Sequence, residues 1–233
     1  MKNNEMKNNK MKNNEMGNNK MENKLKTLLL IFNENHFLEE SGIENLFARF
    51  PLIQKEGIEN LIIYIDFLDE IRQKEKLTLI LSEKIQSVSN NYQSASNNYH
   101  PDSLLHLCVI SDYDNLPNFS KISKISEFSV YFIFNLGGRD ELKSILSDFI
   151  QKCQSGQFSA SDMVPDFISS HLCLSFEPDF IISGSKNTLT DFMIWQTVYS
   201  EYFYFDKGID RLTDSDFRKA FESFRKRGRR YGV

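Results

Sequence analysis

Four apolar runs of strand length lie in the first 134 residues: Leu25–Phe32 (LKTLLLIF), Ile58–Ile65 (IENLIIYI), Leu104–Ile110 (LLHLCVI) and Phe128–Phe134 (FSVYFIF). They are nearly continuous rather than alternating, the pattern of strands covered on both faces in a parallel sheet. A fifth, shorter run, Phe180-Ile181-Ile182, stops at the polar, turn-prone loop Ser183-Gly184-Ser185-Lys186-Asn187. Between the runs the period changes to a helical one. Ile43, Leu46, Phe47 and Phe50 follow Ser41, which with Glu44 reads as a capping box. A helix is predicted from about Leu68 to Val88, and another over Asp140–Cys153, with Leu142, Ile145, Leu146 and Phe149 on one face. Strand and helix in alternation predict an α/β fold: a central, mostly parallel β-sheet flanked by α-helices, in one domain over residues 25–233.

Two stretches break the pattern. Residues 1–24 are a five-residue repeat (MKNNE, MKNNK, MKNNE, MGNNK, MENK) that lacks the bulky side chains needed to offset ordering entropy, so disorder is expected there. Residues 86–103, with a near-duplicated SNNY, read as a flexible surface insertion. The net charge of −4 argues against a nucleic-acid partner for the whole chain. The last sixteen residues nevertheless carry Arg218, Lys219, Arg225, Lys226, Arg227, Arg229 and Arg230 against Glu222. Such a run is ordinarily a solvated helix face, and otherwise a grip for phosphate or an anionic partner. Cys108, Cys153 and Cys173 show no paired or CxxC spacing, and His36, His100, His106 and His171 are scattered, so neither a disulfide framework nor a zinc site is expected. No apolar run approaches the roughly 20 residues of a membrane span and no secretory h-region is present; the expectation is a cytoplasmic protein, with peripheral membrane contact open.

Candidate chemistry sits at strand ends. Asn135-Leu136-Gly137-Gly138-Arg139 is a strand-to-helix junction of the kind that faces anions, although a tight turn needing glycine fits it equally well. Phe192 to Phe205 is the most aromatic passage of the chain and reads as core or as interface. Glu201, set inside it, needs a partner, because a lone buried carboxylate is costly.

Taken together, NLGGR at Asn135–Arg139, PDFII at Pro178–Ile182, FMIWQ-x-x-YSE at Phe192–Glu201 and the terminal RRYG at Arg229–Gly232 resemble the cis-prenyltransferases, the undecaprenyl and dehydrodolichyl diphosphate synthase family. The resemblance is dense over Phe128–Gly232 and thinner over Leu25–Asp112, where GIENLIIY at Gly57–Tyr64 matches the second-strand region. It implies that family's fold and its chemistry: condensation of isopentenyl diphosphate with an allylic diphosphate, assisted by Mg²⁺.

The departures from the family pattern are specific. Active members carry M-D-G-N-G-R-W after the first strand; here Ile31-Phe32-Asn33-Glu34-Asn35-His36-Phe37 stands in its place, with Asn33 at the catalytic aspartate. An amide lacks the charge a hard cation prefers. Glu34 and His36 replace glycines that admit a diphosphate, and Ser183–Asn187 replaces R-T-G-G-E, leaving only Lys186 as a cation. The terminal Arg230-Tyr231-Gly232 keeps the R-x-G that, in this family, reaches across the dimer to the partner's isopentenyl diphosphate site. Against the alternative of a frayed basic helix end, the resemblance implies an accessory subunit of a heteromeric enzyme, like the Nogo-B receptor type. A homologous catalytic subunit would hold Mg²⁺ and the allylic diphosphate, this chain would lend Arg230 and Gly232, and Trp195, Tyr199, Glu201, Tyr202 and Phe203 would form the interface. Arg139, Gly137 and Gly138 are expected to have a diphosphate-binding or structural role. Two alternatives remain: a divergent homodimeric synthase with Glu34, or less favourably Glu201, at the metal, and a scaffold without effect on prenyl transfer.

Overall fold

The computed structural model describes residues 24–38, 41–67, 73–96, 106–110, 128–134, 136–184 and 191–227. In chain order these form β1 (Thr27–Asn33), α1 (Asn35–Leu38), α2 (Gly42–Phe47), α3 (Phe50–Lys55), β2 (Asn60–Asp66), α4 (Lys74–Ser96), β3 (His106–Ile110), β4 (Ser129–Phe134), α5 (Gly138–Gln154), α6 (Pro165–His171), β5 (Phe180–Ser183), β6 (Glu201–Tyr204) and α7 (Asp214–Lys226), with 3₁₀ turns at Ala160–Asp162 and Ile209–Arg211. The strands make one six-stranded sheet of order β3-β4-β2-β1-β5-β6. Every neighbouring pair is parallel, as expected of strands that are apolar on both faces.

Alternate residues of β1 serve different layers. Leu28, Leu30 and Phe32 pack with Phe47, Phe50, Phe132, Phe180 and Phe221 beneath α2–α4 and α7. Leu29 and Ile31 pack with Ile62, Tyr64, Ile133, Ile181 and Phe192 on the opposite face. Asp179 pins the start of this arrangement: one carboxylate oxygen accepts from the backbone N–H of Lys26 (2.8 Å) and of Thr27 (2.9 Å), joining the approach to β5 with the beginning of β1.

Two expectations are corrected. Ser41 precedes α2, but its side chain makes no capping hydrogen bond, so the expected box with Glu44 is absent. Helix α4 is described from Lys74 and runs past the expected end at Val88 to Ser96, so residues 86–96 of the supposed loop insertion are helical, while 68–72 lie outside the described residues. The reason is packing: the Tyr92 ring lies 5.7 Å from both Phe47 and Phe50, and Val88 joins the same layer, so tertiary contact overrides the weak helix preference of Ser and Asn. The repeat at 1–23 and residues 97–103 lie outside the described residues. No helix among the described residues is long and apolar enough to cross a membrane.

The last helix is bound tightly to the layer below it. Thr213 and Asp216 form a reciprocal capping box at its N-terminus, and Arg49 pairs with Asp214 while Arg225 pairs with Glu56. Asp216 Oδ2 also accepts from Lys207 Nζ at 2.7 Å. Burial pushes the Asp216 carboxyl up, but donation from Lys207 and from the Thr213 hydroxyl and amide outweighs it and holds the pKa at about 2. Because this folded value lies below the unfolded one, the carboxylate stabilises the fold above pH ~4, and the contribution disappears as pH falls toward ~2. Asp216→Asn is expected to cost about 2 kcal/mol at neutral pH and to flatten the acid limb of stability between those values, as read by urea unfolding across pH.

Candidate functional site

In a parallel sheet, ligands gather at the carboxyl ends of the strands, above all where the strand order reverses. Here that point lies between β1 and β5, since β1 is followed by β2 on one side and is joined much later by β5 on the other. Three of the predicted sites fall on this edge.

The first is the end of β1. Asn33 closes the strand opposite Asp66 of β2, and its Oδ1 is buried with no hydrogen-bond partner. Glu34 is only 2% exposed, and its N–H donates to the Asp66 carbonyl at 3.2 Å. His36 follows on α1, its ring edge-on to Phe32 at 5.7 Å, with Nδ1 buried and unpartnered. Burial lowers the His36 pKa, Asp210 and Glu34 raise it and Arg211 lowers it, and the balance is downward. A Cβ at Gly208 would fall 2.2 Å from this ring, so the bulk that His36 introduces is accommodated by a glycine on the facing turn.

The second is the end of β5. Ser183 is buried, and the N–H of Gly184 donates to the Ile31 carbonyl at 2.9 Å. A Cβ there would fall 2.1 Å from the Phe32 ring, so the close approach of the two strand ends requires glycine. Lys186 and the rest of this loop lie outside the described residues.

The third is the junction after β4. Gly137 caps α5 in an extended conformation. Gly138 donates to the Asp191 carbonyl at 2.8 Å; a Cβ on Gly138 would lie 2.3 Å from that oxygen, and one on Gly137 would lie 2.8 Å from the Asp191 carboxylate. The two glycines therefore admit the Asp191 segment, and the anion at this helix N-terminus is the chain's own, which favours a structural role for the pair. Arg139 is exposed in the first turn of α5, and Asn135 lies outside the described residues.

The aromatic passage divides between core and surface. Phe192 stacks on Tyr64 with centroids 4.0 Å apart, and Met193 adopts a left-handed φ of 53° that turns the chain immediately afterwards. Trp195 (37% exposed) and Tyr199 (50%) face outward beside Val198 (69%); Trp195 Nε1 donates to Ser169 Oγ at 3.1 Å. Tyr202 and Phe203 are half-buried, each packed against one of the two core layers of their own chain. The partner of Glu201 is also internal: Arg227 Nη1 lies 3.1 Å from its Oε2. The pair forms because the end of α7 returns to the edge of the sheet beside β6. Arg230 and Gly232 lie outside the described residues.

Sequence reading passed over Glu141. It sits on the buried face of α5 and accepts from the Cys173 N–H at 2.6 Å. Burial pushes its carboxyl up, against donation from Cys173 and Gln196. Gln196, from the WQ pair, donates to the Leu174 carbonyl at 3.1 Å while its Oε1 remains unpartnered. A buried carboxylate two residues after an arginine had no signal that would separate it from an ordinary helix-start acid.

Among the described residues no group of three His, Cys, Asp or Glu side chains has metal-binding geometry. At the end of β1 Asn33 offers an amide without charge and Glu34 is packed away from solvent, so the accessible negative charge that a hard divalent cation prefers is not presented there.

Comparison with known proteins agrees with this fold. The family model described as "Putative undecaprenyl diphosphate synthase" matches residues 33–232. An isoprenyl transferase of Shouchella clausii is 36% identical over 104 residues, 43% of this chain and 40% of the relative. One from Bacillus thuringiensis is 29% identical over 136 residues, 53% of each chain. The matched region thus spans about half or less of these curated relatives. In structure, the lavandulyl diphosphate synthase of Lavandula x intermedia, solved with dimethylallyl diphosphate, superposes with a TM-score of 0.71 over 91% of this chain and 100% of its own, at 17% identity, which is a likeness of fold.

Proposed function

The chain belongs to the undecaprenyl diphosphate synthase family of cis-prenyltransferases, and from that premise we propose that it is the non-catalytic subunit of a heteromeric cis-prenyltransferase. The observation that supports the reading is the end of β1, where Asn33, the residue that the sequence resemblance sets at the family's aspartate, holds a buried amide oxygen without a hydrogen-bond partner. The adjoining loop after β5 begins Ser183-Gly184, without the arginine that would fork onto a diphosphate. Because the residues of this edge do not suit Mg²⁺, the metal and the allylic diphosphate belong to a homologous catalytic partner, and no step of the reaction runs through this chain's own β1 edge.

This chain contributes binding and position. Arg230 would grip the diphosphate of isopentenyl diphosphate in the partner's site, and the Gly232 backbone would close over it. Holding the attacking substrate in line lowers the barrier without any proton or metal chemistry on this subunit. The exposed Trp195, Val198 and Tyr199 are suited to the partner surface, since aromatic side chains dominate interface cores. The product would be a long polyprenyl diphosphate of the kind used for glycosyl carrier lipid.

The test is reconstitution. The purified chain alone is expected to transfer no prenyl groups. Combined with a catalytic homologue from the same host, it should raise that partner's turnover at least about tenfold, the scale of one well-placed binding interaction. Robust activity of the isolated chain would overturn the proposal. That result would favour a divergent homodimeric enzyme, a reading supported by the naming of its relatives as isoprenyl transferases. Against it stands the burial of Glu34, the carboxylate such an enzyme would need.

A further inference from the structure

We infer that Arg227 is a positioning residue that anchors the root of the C-terminal tail to the open edge of the sheet, using Glu201 as its counter-charge. The inference rests on the proposal that this tail is lent to a partner, and it assigns the part of the fold that aims it.

Strand β6 is the last of the sheet. Glu201 donates its N–H to the Asp179 carbonyl and Phe205 donates its N–H to that of Ser183. In a parallel ladder these odd-numbered residues face β5, so Tyr202 and Tyr204 turn their backbone groups toward the open edge. There Arg227 Nη1 donates to the Tyr202 carbonyl at 2.7 Å and to Glu201 Oε2 at 3.1 Å, while Nη2 donates to Ser223 Oγ at 3.3 Å, one turn back on α7. The same residue ends the helix: its N–H donates to the Phe224 carbonyl at 3.0 Å, and its backbone is already extended, at φ −86° and ψ 137°. One side chain therefore ties the helix end, the edge strand and the carboxylate of the YSE motif together at the point where the tail begins.

At side-chain exposures of 36% for Arg227 and 28% for Glu201, the ion pair by itself contributes little to stability. Its effect is geometric. Arg230 follows only three residues later in the sequence, so the anchor holds the root from which it departs. Nη1 makes both bonds to the strand while Nη2 makes the one back to Ser223, so two fixed nitrogens span strand and helix, which the single nitrogen of an ammonium does not reproduce. The arrangement also accounts for a glutamate in the aromatic passage, which serves the tail root from inside its own chain.

The experiment uses the reconstituted complex together with the isolated chain. Arg227→Ala and Arg227→Lys are each expected to lower kcat/KM for isopentenyl diphosphate about tenfold, mainly through KM, a loss typical of a misplaced binding group. In an Arg230→Ala background, Arg227→Ala should add less than about twofold, because the two act through one tail. Multiplicative losses, wild-type kinetics, or full rescue by lysine would each overturn the anchor. Hydrogen exchange on the isolated chain supplies a readout independent of activity. In Arg227→Ala the amides from Arg227 onward should exchange about tenfold faster while those of Phe217–Phe224 keep their protection; an unchanged rate overturns the anchor. Failure of the wild-type chain to stimulate any partner would overturn the subunit proposal instead, and leaves this exchange test readable.

Discussion

Arg230→Ala in the assembled enzyme is expected to lower kcat/KM for isopentenyl diphosphate about 30- to 100-fold while the two subunits stay associated. A guanidinium makes paired, charge-assisted hydrogen bonds to a phosphate, and truncating such a group removes about 2–3 kcal/mol, with tenfold for each 1.4 kcal/mol. Association should persist because the outward aromatic residues Trp195 and Tyr199 belong to the passage before β6 rather than to the tail. Steady-state kinetics with isopentenyl diphosphate varied at saturating allylic substrate, alongside size-exclusion chromatography, separates the two effects. Unchanged kinetics would remove the lent-tail role; dissociation of the complex would reassign Arg230 to the interface.

Phe132→Ala is expected to destabilise the fold by about 3–5 kcal/mol, the usual cost of emptying a fully enclosed aromatic site. Phe132 is completely buried and stacks on Phe47 at 6.1 Å, which in turn lies 4.6 Å from Phe50; Tyr92 closes over both. The cluster joins β4, α2, α3 and α4, so a void there loosens four elements at once. Since a domain's whole stability is about 5–15 kcal/mol, the variant should shift the urea midpoint substantially, and an unchanged slope would show that the loss lies in the native packing.

The sheet was the most legible part of the fold, for a physical reason. Strands such as Leu28–Phe32 and Leu61–Ile65 are buried on both faces, and continuous burial leaves a mark in sequence that needs no knowledge of the neighbours. Strand ends were less legible, because pairing sets them: β1 runs to Asn33 since Asp66 continues beside it. The length of α4 was hidden by polar composition, as only the folded chain brings Tyr92 onto Phe47. In the site, Asn33 at the end of β1 could be read directly, being a matter of residue type. The partner of Glu201 could not, because Arg227 lies 26 positions away in a run of seven basic residues with nothing to single it out. Asp191 over Gly137 and Gly138 was invisible for the same reason: the glycines announce a close approach without naming what approaches.

The alternation along β1 makes the sheet a partition. Leu28, Leu30 and Phe32 answer to one set of neighbours and Leu29 and Ile31 to another, and backbone lies between the two sets. Perturbations confined to opposite sides share no partners, so their free-energy changes should sum, whereas pairs within one layer should couple. Thermodynamically the molecule is two semi-independent cores with a common wall. Tyr64 and Phe192 belong to one of them and the Phe47–Phe132 cluster to the other, so the layer beneath the aromatic passage can be repacked without disturbing the layer that holds α7 in place.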